Sequence, residues 1–158
     1  MINPFLLNIF LAIGFAAVLG QFNLSGFLTG FGVGYLALWL TKPLYGETRY
    51  FRMLPKAVVL IGYFIKELFI SNFKVLWDVI TPKHISRPGI IGVPLDARTD
   101  LEIMLVANLI SLTPGTLSID VSEDKKTLYV HVMFLDDVEE TCRSIKDGLE
   151  KRVLEVMR

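Results

Sequence analysis

The ionisable pair Lys66 and Glu67 lies inside an apolar stretch that runs from residue 54 to residue 80. Ionisable side chains at membrane depth commonly mark the route of a proton or an ion. One interpretation is therefore a pair of membrane-depth charges on a proton or sodium route. The interpretation we favour is an interfacial pair that faces lipid headgroups or a neighbouring protein.

Other reactive side chains lack the partners that a site needs. His84 and His131 have no histidine, cysteine or carboxylate at ligand spacing, so we predict no metal site. Cys142 is the single cysteine, which excludes an intramolecular disulfide and a cysteine-based cluster. The glycines at 30–34 lie in an apolar run without a preceding strand, unlike a dinucleotide-binding loop. Because no paired carboxylates, nucleophile–base set or phosphate loop is present, we predict no catalytic site, no cofactor and no enzyme.

The segment Thr113, Pro114, Gly115, Thr116 has the composition of a tight turn. Proline fixes φ near −65° at the second position, and glycine supplies a positive φ at the third. We expect a structural turn between a helix and a strand. A rigid turn of this kind is also a candidate contact loop for another subunit.

The elements that must position these residues begin with a block free of charge. Residues 1–41 contain no Asp, Glu, Lys or Arg. We predict a transmembrane helical hairpin, with helices at 4–20 and 24–41 that reach roughly 25–27 Å at 1.5 Å per residue. Gly26, Gly30 and Gly34, each four residues apart, indicate a helix-packing face, within the hairpin or with a partner protein.

The next segment, residues 42–80, reads as a basic loop followed by a long helix. Arg49, Arg52 and Lys56 oppose one acid, Glu47, which predicts a cytoplasmic loop and a cytoplasmic N-terminus. The polar residues of 54–80 fall on one stripe of a helix, which indicates an amphipathic helix lying in the interface or packed on a partner. The alternative is a third membrane helix, which would place the C-terminal domain outside.

Residues 81–88 form a linker, and residues 89–158 predict a small βαββα domain with two helices on one face of the sheet. Val138, Cys142, Ile145, Leu149, Val153 and Val156 predict the buried side of the last helix. Leu117–Val121 alternates as a half-buried strand, and Leu128, Val130, Val132 and Phe134 share one face of the next. The fold class is thus an α+β membrane protein with a cytoplasmic α/β domain. The 16 basic and 16 acidic residues do not suggest nucleic-acid binding.

Three stretches of the sequence are distinctive: the glycine-rich hairpin, ELFISNFKVLWDVI with the following TPKHISRPGIIGVPL, and above all ANLISLTPGTLSIDVSEDKKTLYVHVMF. Through these stretches the whole chain resembles the E subunit of the Mrp-type (Mnh) sodium/proton antiporter complexes of bacteria. This resemblance implies an accessory, non-catalytic subunit in the bacterial cell membrane, with the other subunits of the complex and lipid as partners. The alternative from the residues alone is a stand-alone membrane-anchored adaptor whose α/β domain binds a protein or a small ligand.

Overall fold

The protein is described here as a computed structural model that covers residues 3–45, 48–82 and 84–158, without the side chains of residues 44 and 45. The chain forms two compact units, Met1–Leu54 and Pro55–Arg158. The helices and strands, in chain order, are α1 (Pro4–Val18), α2 (Leu24–Leu40), α3 (Lys42–Tyr45), α4 (Arg49–Ile80), β1 (Gly89–Pro94), α5 (Asp100–Leu112), β2 (Thr116–Val121), β3 (Thr127–Val132), α6 (Val138–Ile145), a π-helical turn (Lys146–Glu150) and α7 (Lys151–Met157).

The first unit is built around the helical pair α1 and α2. The Asn3 side chain accepts from the Phe5 N–H at the start of α1, and the Asn23 side chain accepts from the Gly26 N–H at the start of α2. Such caps satisfy backbone donors that the first turn of a helix leaves open. Gly20, with φ of +64°, lies just after α1 in the left-handed conformation that commonly follows a helix.

The two helices are slightly shorter than the sequence predicted, with 15 residues in α1 and 17 in α2. Within the part of the chain that the structure describes, no helix combines the length and the apolarity needed to cross a membrane. The transmembrane hairpin stays a prediction.

Helix α4 begins at Arg49, about five residues before the predicted start, so most of the expected basic loop is helical. The additional turn is held by aromatic contacts inside the first unit. The Tyr35 ring centroid lies 5.8 Å from that of Tyr50 and 5.5 Å from that of Phe51. These contacts join residues far apart in the sequence, so local periodicity could not reveal them.

The amphipathic pattern predicted for α4 is present, and its polar stripe packs on the α/β part of the same unit. Lys56 Nζ donates to the Glu155 carbonyl at 2.9 Å. The Arg152 guanidinium lies 3.7 Å from the centroid of the Tyr63 ring. Asp78, near the end of the helix, is buried. The sequence favoured headgroups or a partner as cover for this stripe, but the chain supplies part of that cover itself.

The opposite side of α4 is apolar and exposed. Its large exposed side chains are Val58, Ile61, Ile65, Phe69, Phe73, Leu76, Trp77, Val79 and Ile80. Val59 and Ile70 are also exposed but lie nearer the polar stripe. A contiguous apolar surface of this kind is typical of a contact with protein or lipid.

The α/β part contains a three-stranded antiparallel sheet in the order β1-β3-β2, with Ile91 opposite Val130 and Thr116 opposite Val132. Helices α5 and α6–α7 cover one face of it, as the βαββα pattern predicted. The core lies between helices and sheet and comprises Ile91, Val93, Val106, Ile110, Leu128, Val130, Val132, Leu149 and Val153.

The structure refines one expected burial pattern and corrects another. In β2 the apolar residues Leu117 and Ile119 point away from the helices, because Ser118 faces α5 and bonds to Ser111 and to the Ala107 carbonyl. In α6, Val138 is exposed because it sits in the first turn, directly after the N-cap Asp137.

Two buried carboxylates join the loop after β1 to the helices. Glu102 forms a capping box with Thr99, and Arg158 Nε lies 3.1 Å from its carboxylate. Arg158 and the backbone N–H groups of Arg98 and Thr99 lower the pKa of Glu102 to about 2, although its burial acts in the opposite direction. Glu150, at the end of the π-helical turn, accepts from the N–H groups of Asp96 and Ala97.

Candidate subunit-contact site

The turn Thr113–Thr116 follows α5 and is closed by its own side chains. Thr113 Oγ1 donates to the Leu109 carbonyl at 3.0 Å, and Thr113 itself is buried. Thr116 Oγ1 lies 2.6 Å from the Ile110 carbonyl and 2.9 Å from the Thr113 carbonyl. The two hydroxyls therefore add donors to carbonyls at the end of the helix, where the regular intrahelical hydrogen bonds stop.

The turn is also fixed to the end of β3. Gly115 has φ of +86°, which favours glycine, and its carbonyl accepts from the Met133 N–H at 2.7 Å. A Cβ at Gly115 would lie 3.5 Å from the Phe134 ring. Hydrogen bonds thus fix the turn both to the end of α5 and to the residue that follows β3.

The turn Thr113–Thr116 lines one part of a cleft of about 370 Å³. Residues of helix α4 and of α6 also line the cleft. The floor is apolar and includes Ile110, Val132, Phe134 and Leu149. The ionisable side chains that line the cleft are Glu67, Lys74, Asp136, Asp137 and Glu140. Four carboxylates and one lysine give the rim of the cleft a net negative charge, above an apolar floor.

The pair Lys66 and Glu67 does not behave as a unit buried in protein. The Lys66 side chain is 65% exposed, that of Glu67 is 27% exposed, and their charged atoms lie 3.8 Å apart. Lys66 Nζ also lies 5.6 Å from the centroid of the Tyr63 ring. Glu67 lines the cleft, whereas Lys66 is directed largely to the surroundings.

The structure places Gly26, Gly30 and Gly34 at buried positions in the first unit. A Cβ at Gly30 would lie 2.8 Å from the Ala12 carbonyl oxygen and 3.0 Å from Phe15 Cβ. A Cβ at Gly34 would overlap the Asn8 side chain. Buried residues of α1 are also spaced by four, at Asn8, Ala12 and Ala16.

The structure gives Asp78, on the polar stripe of α4, a local role. It accepts from the backbone N–H groups of Ile85 and Ser86, at 2.5 and 3.0 Å. His84 Nδ1 lies 3.5 Å from the same carboxylate. The sequence did not indicate this role, because the partners of the Asp78 carboxylate are backbone N–H groups seven and eight residues further along the chain.

The other reactive side chains considered in the sequence, Cys142 and His131, do not form a site together. Burial raises the pKa of the Cys142 thiol, and the nearby Lys146 lowers it to a smaller extent. His131 lies on β3, opposite Ile90 of β1 and Leu117 of β2. Among the described residues, no group of three or more His, Cys, Asp or Glu side chains is arranged to hold a metal ion.

Comparison with known proteins places this architecture in a family. The profile of the MNHE family, described as Na+/H+ ion antiporter subunit, matches residues 8–156. The chain is 37% identical over 153 residues to the Na(+)/H(+) antiporter E subunit of Alkalihalophilus pseudofirmus, with 97% of each chain covered. The identity and the coverage are the same for the corresponding E subunit of Bacillus subtilis.

Two solved structures also contain a chain that is similar to this protein. A chain in the structure of the Mrp complex from Dietzia sp. DQ12-45-1b is 28% identical, with a TM-score of 0.50 over 65% of this chain and 96% of that one. A chain of the archaeal membrane-bound sulfane sulfur reductase complex shares the fold at 23% identity, with a TM-score of 0.59 over 95% of this chain and 96% of that one. Since both the family profile and the relatives extend over nearly the whole sequence, the chain belongs to the MNHE family of Na+/H+ antiporter subunits.

Proposed function

We propose that this protein is an accessory, non-catalytic subunit of a multi-subunit sodium/proton antiporter, needed for assembly or full activity and so for pH and sodium homeostasis. The observation that carries the proposal is the nearly full-length relationship to the E subunits of antiporters. The cleft provides acids and hydroxyls on an apolar floor, a composition suited to binding a protein segment.

The proposal includes a place in the bacterial cell membrane. The uncharged helices α1 and α2 are short for a bilayer of about 30 Å, so they would pack against larger neighbours rather than stand alone in lipid. The exposed apolar side of α4 would face lipid or protein in the interface, and the α/β part would lie in the cytoplasm. Lys66 and Glu67 would then face the interface rather than carry ions.

We further propose that the cleft beside Thr113–Thr116 receives a basic segment of a neighbouring subunit. Its acidic rim would attract lysine or arginine, and its floor would accept their apolar stems. Glu140 lines the cleft, whereas its neighbour Glu139, also exposed, does not. Glu140→Lys should therefore reduce recovery of the other subunits with this chain, and Glu139→Lys is the matched control. Equal recovery with both variants would contradict the docking role.

Deletion tests the function as a whole. Cells that lack the chain should become sodium-sensitive, and everted vesicles from them should show reduced sodium/proton antiport. Unchanged antiport in the deletion strain would overturn the proposal.

Purification in mild detergent separates this function from that of a stand-alone adaptor. Recovery together with large membrane subunits supports the antiporter role. Recovery as a free small oligomer would support an adaptor whose compact α/β part binds a ligand of its own.

The side of the membrane is tested with an introduced thiol. Asp124→Cys lies in the exposed turn between β2 and β3, and Cys142→Ser removes the native thiol. An impermeant thiol reagent should leave the introduced cysteine unlabelled in intact cells and label it after lysis. Labelling from outside would mean that α4 crosses the membrane.

A further inference from the structure

A second cavity, of about 310 Å³, lies at the C-terminal end of α4, and its lining is mainly basic. Lys74, His84 and Arg87 supply its nitrogen-bearing side chains, and Asp136 supplies the single carboxylate. Phe134 provides an apolar wall. The cavity shares Lys74, Phe134 and Asp136 with the adjacent acidic cleft, and the proposed docking of a neighbouring subunit leaves His84 and Arg87 without a role.

The segment that carries His84 and Arg87 is held in place by hydrogen bonds. Asp78 binds the N–H groups of Ile85 and Ser86. The Arg87 N–H donates to the Met133 carbonyl at 3.0 Å, and the Arg87 carbonyl accepts from the Leu135 N–H at 2.9 Å. The backbone that presents these side chains is therefore fixed on both sides.

Of the three basic side chains at the cavity, His84 has a carboxylate beside it, since its Nδ1 lies 3.5 Å from Asp78. Among the described residues, neither the Lys74 ammonium nor the Arg87 guanidinium has a carboxylate within 4.0 Å. Lys74 Nζ instead lies 4.7 Å from the centroid of the Phe134 ring. Two fixed cations face one aspartate, and His84 adds a further donor, so the cavity suits an anion with several oxygen atoms.

The surface of α4 beside the cavity indicates where that anion comes from. Phe73 and Trp77, on the same end of the helix, are 67% and 61% exposed. Trp side chains favour the membrane–water interface, where an apolar ring meets water, and basic side chains there attract anionic headgroups. Exposed aromatic rings and unbalanced cations thus occur together at one end of one helix.

We propose that the cavity formed by Lys74, His84 and Arg87 binds a phosphate group, presented by the headgroup of an anionic phospholipid. The lipid source rests on the proposed membrane location of α4, whereas the phosphate chemistry rests on the cavity alone. Lys74 and Arg87 bind the phosphate oxygens, and His84 donates a further hydrogen bond. The acyl chains lie along the apolar side of α4 near Phe73 and Trp77.

The test uses the full chain with Trp39→Phe, so that Trp77 is the single tryptophan, in nanodiscs that contain brominated lipid. Brominated phosphatidylcholine should quench Trp77, which reports its contact with the bilayer. Brominated phosphatidylglycerol at equal mole fraction should quench it more, which reports the cavity. The double variant Lys74→Gln/Arg87→Gln should lose this excess and bind phosphatidylglycerol roughly 30-fold more weakly.

The matched control is Arg98→Gln/Lys126→Gln, which removes two exposed cations near the opposite end of β3. It should keep the full excess quenching. An equal loss in the control would reduce the effect to general charge attraction and overturn the cavity.

A second arm titrates inorganic phosphate into the protein in neutral detergent and follows Trp77 emission. Phosphate binding that the double variant abolishes, without excess quenching by phosphatidylglycerol, would assign the cavity to free phosphate. Absence of both effects overturns the proposal. Failure of brominated phosphatidylcholine to quench Trp77 would refute only the membrane location, and that result is independent of the phosphate titration.

Discussion

The two units of the chain differ in the size and the charge of the side chains that they bury. In Met1–Leu54 most of the buried positions of the two helices are small or polar, namely Asn8, Ala12, Ala16, Gly26, Gly30 and Gly34, and Leu38 is the one large apolar residue buried there. In Pro55–Arg158 most of the buried positions are branched aliphatic residues, and the carboxylates of Asp78, Glu102 and Glu150 are buried as well.

The difference shows what each unit is sensitive to. The helical hairpin depends on the close approach of two backbones, so a larger side chain at a buried glycine should destabilise it. The α/β part gains its stability from filled space and satisfied carboxylates, so lost volume and altered charge are its weaknesses. Four substitutions test this contrast.

The largest effect is expected from Ile110→Ala in the α/β core, where Ile110 is 2% exposed. Removing its side chain loses buried apolar surface and leaves a cavity, with an expected cost of about 3 kcal/mol. Chemical denaturation followed by circular dichroism measures this change. Ile119→Ala, on the open face of the sheet, should change stability by less than about 0.5 kcal/mol. Similar losses in both would mean that the outer face is also packed.

A smaller loss is expected from Gly30→Val in the hairpin. The new side chain meets the Ala12 carbonyl and Phe15, so the helices must separate at an expected cost of about 2 kcal/mol. Gly32→Val is the matched control, because a Cβ at Gly32 meets nothing within 4 Å. Unfolding in mixed micelles measures both variants. Equal behaviour would show that close approach at Gly30 does not hold the pair.

Charge is tested by Glu102→Gln, with an expected loss of about 1.5 kcal/mol near neutral pH. The folded state lowers the pKa of Glu102 to about 2 from its ordinary 4.5. Its carboxylate therefore contributes stability fully above pH 4.5, and the contribution is lost as the pH falls towards 2. Denaturation of the α/β part between pH 6 and 2 should show a flatter decline in the variant than in the parent. An unchanged profile would assign the acid sensitivity to other carboxylates.

The smallest effect is expected at the turn, from Thr116→Val. The change removes the hydroxyl that bonds to the Ile110 and Thr113 carbonyls, at an expected cost of about 1 kcal/mol. Thr127→Val is the control, since the Thr127 hydroxyl makes no hydrogen bond with any described residue. Thermal unfolding compares the two. A loss at Thr127 as large as that at Thr116 would remove the argument that the hydroxyl fixes the turn.

Local patterns in the sequence predicted the elements well because their causes are local. The positive φ of Gly115, for example, follows from the residues of the turn itself. The alternation of Leu128, Val130 and Val132 likewise predicted the buried face of β3, where all three are buried.

Features that depend on distant residues escaped prediction. Sequence alternation marked β2 as half-buried but could not say that Ser118, rather than Leu117, faces α5. The polar stripe of α4 was visible, yet the partners of Lys56 and Tyr63 lie near the end of the chain. The cleft beside Thr113–Thr116 needs three separate elements, so the turn was predicted from its residues and the cleft was not.

The stripe on α4 has a consequence for how the chain is made. Lys56 bonds to a carbonyl 99 residues further along the sequence, in α7. During synthesis the whole of α4 leaves the ribosome before its cover exists, so both of its sides are open to solvent, to lipid or to chaperones. Synthesis that stops before α7 leaves this helix without the Glu155 carbonyl and the Arg152 guanidinium. The polar side of α4 thus stays accessible until α7 has been made, which separates early from late stages of synthesis.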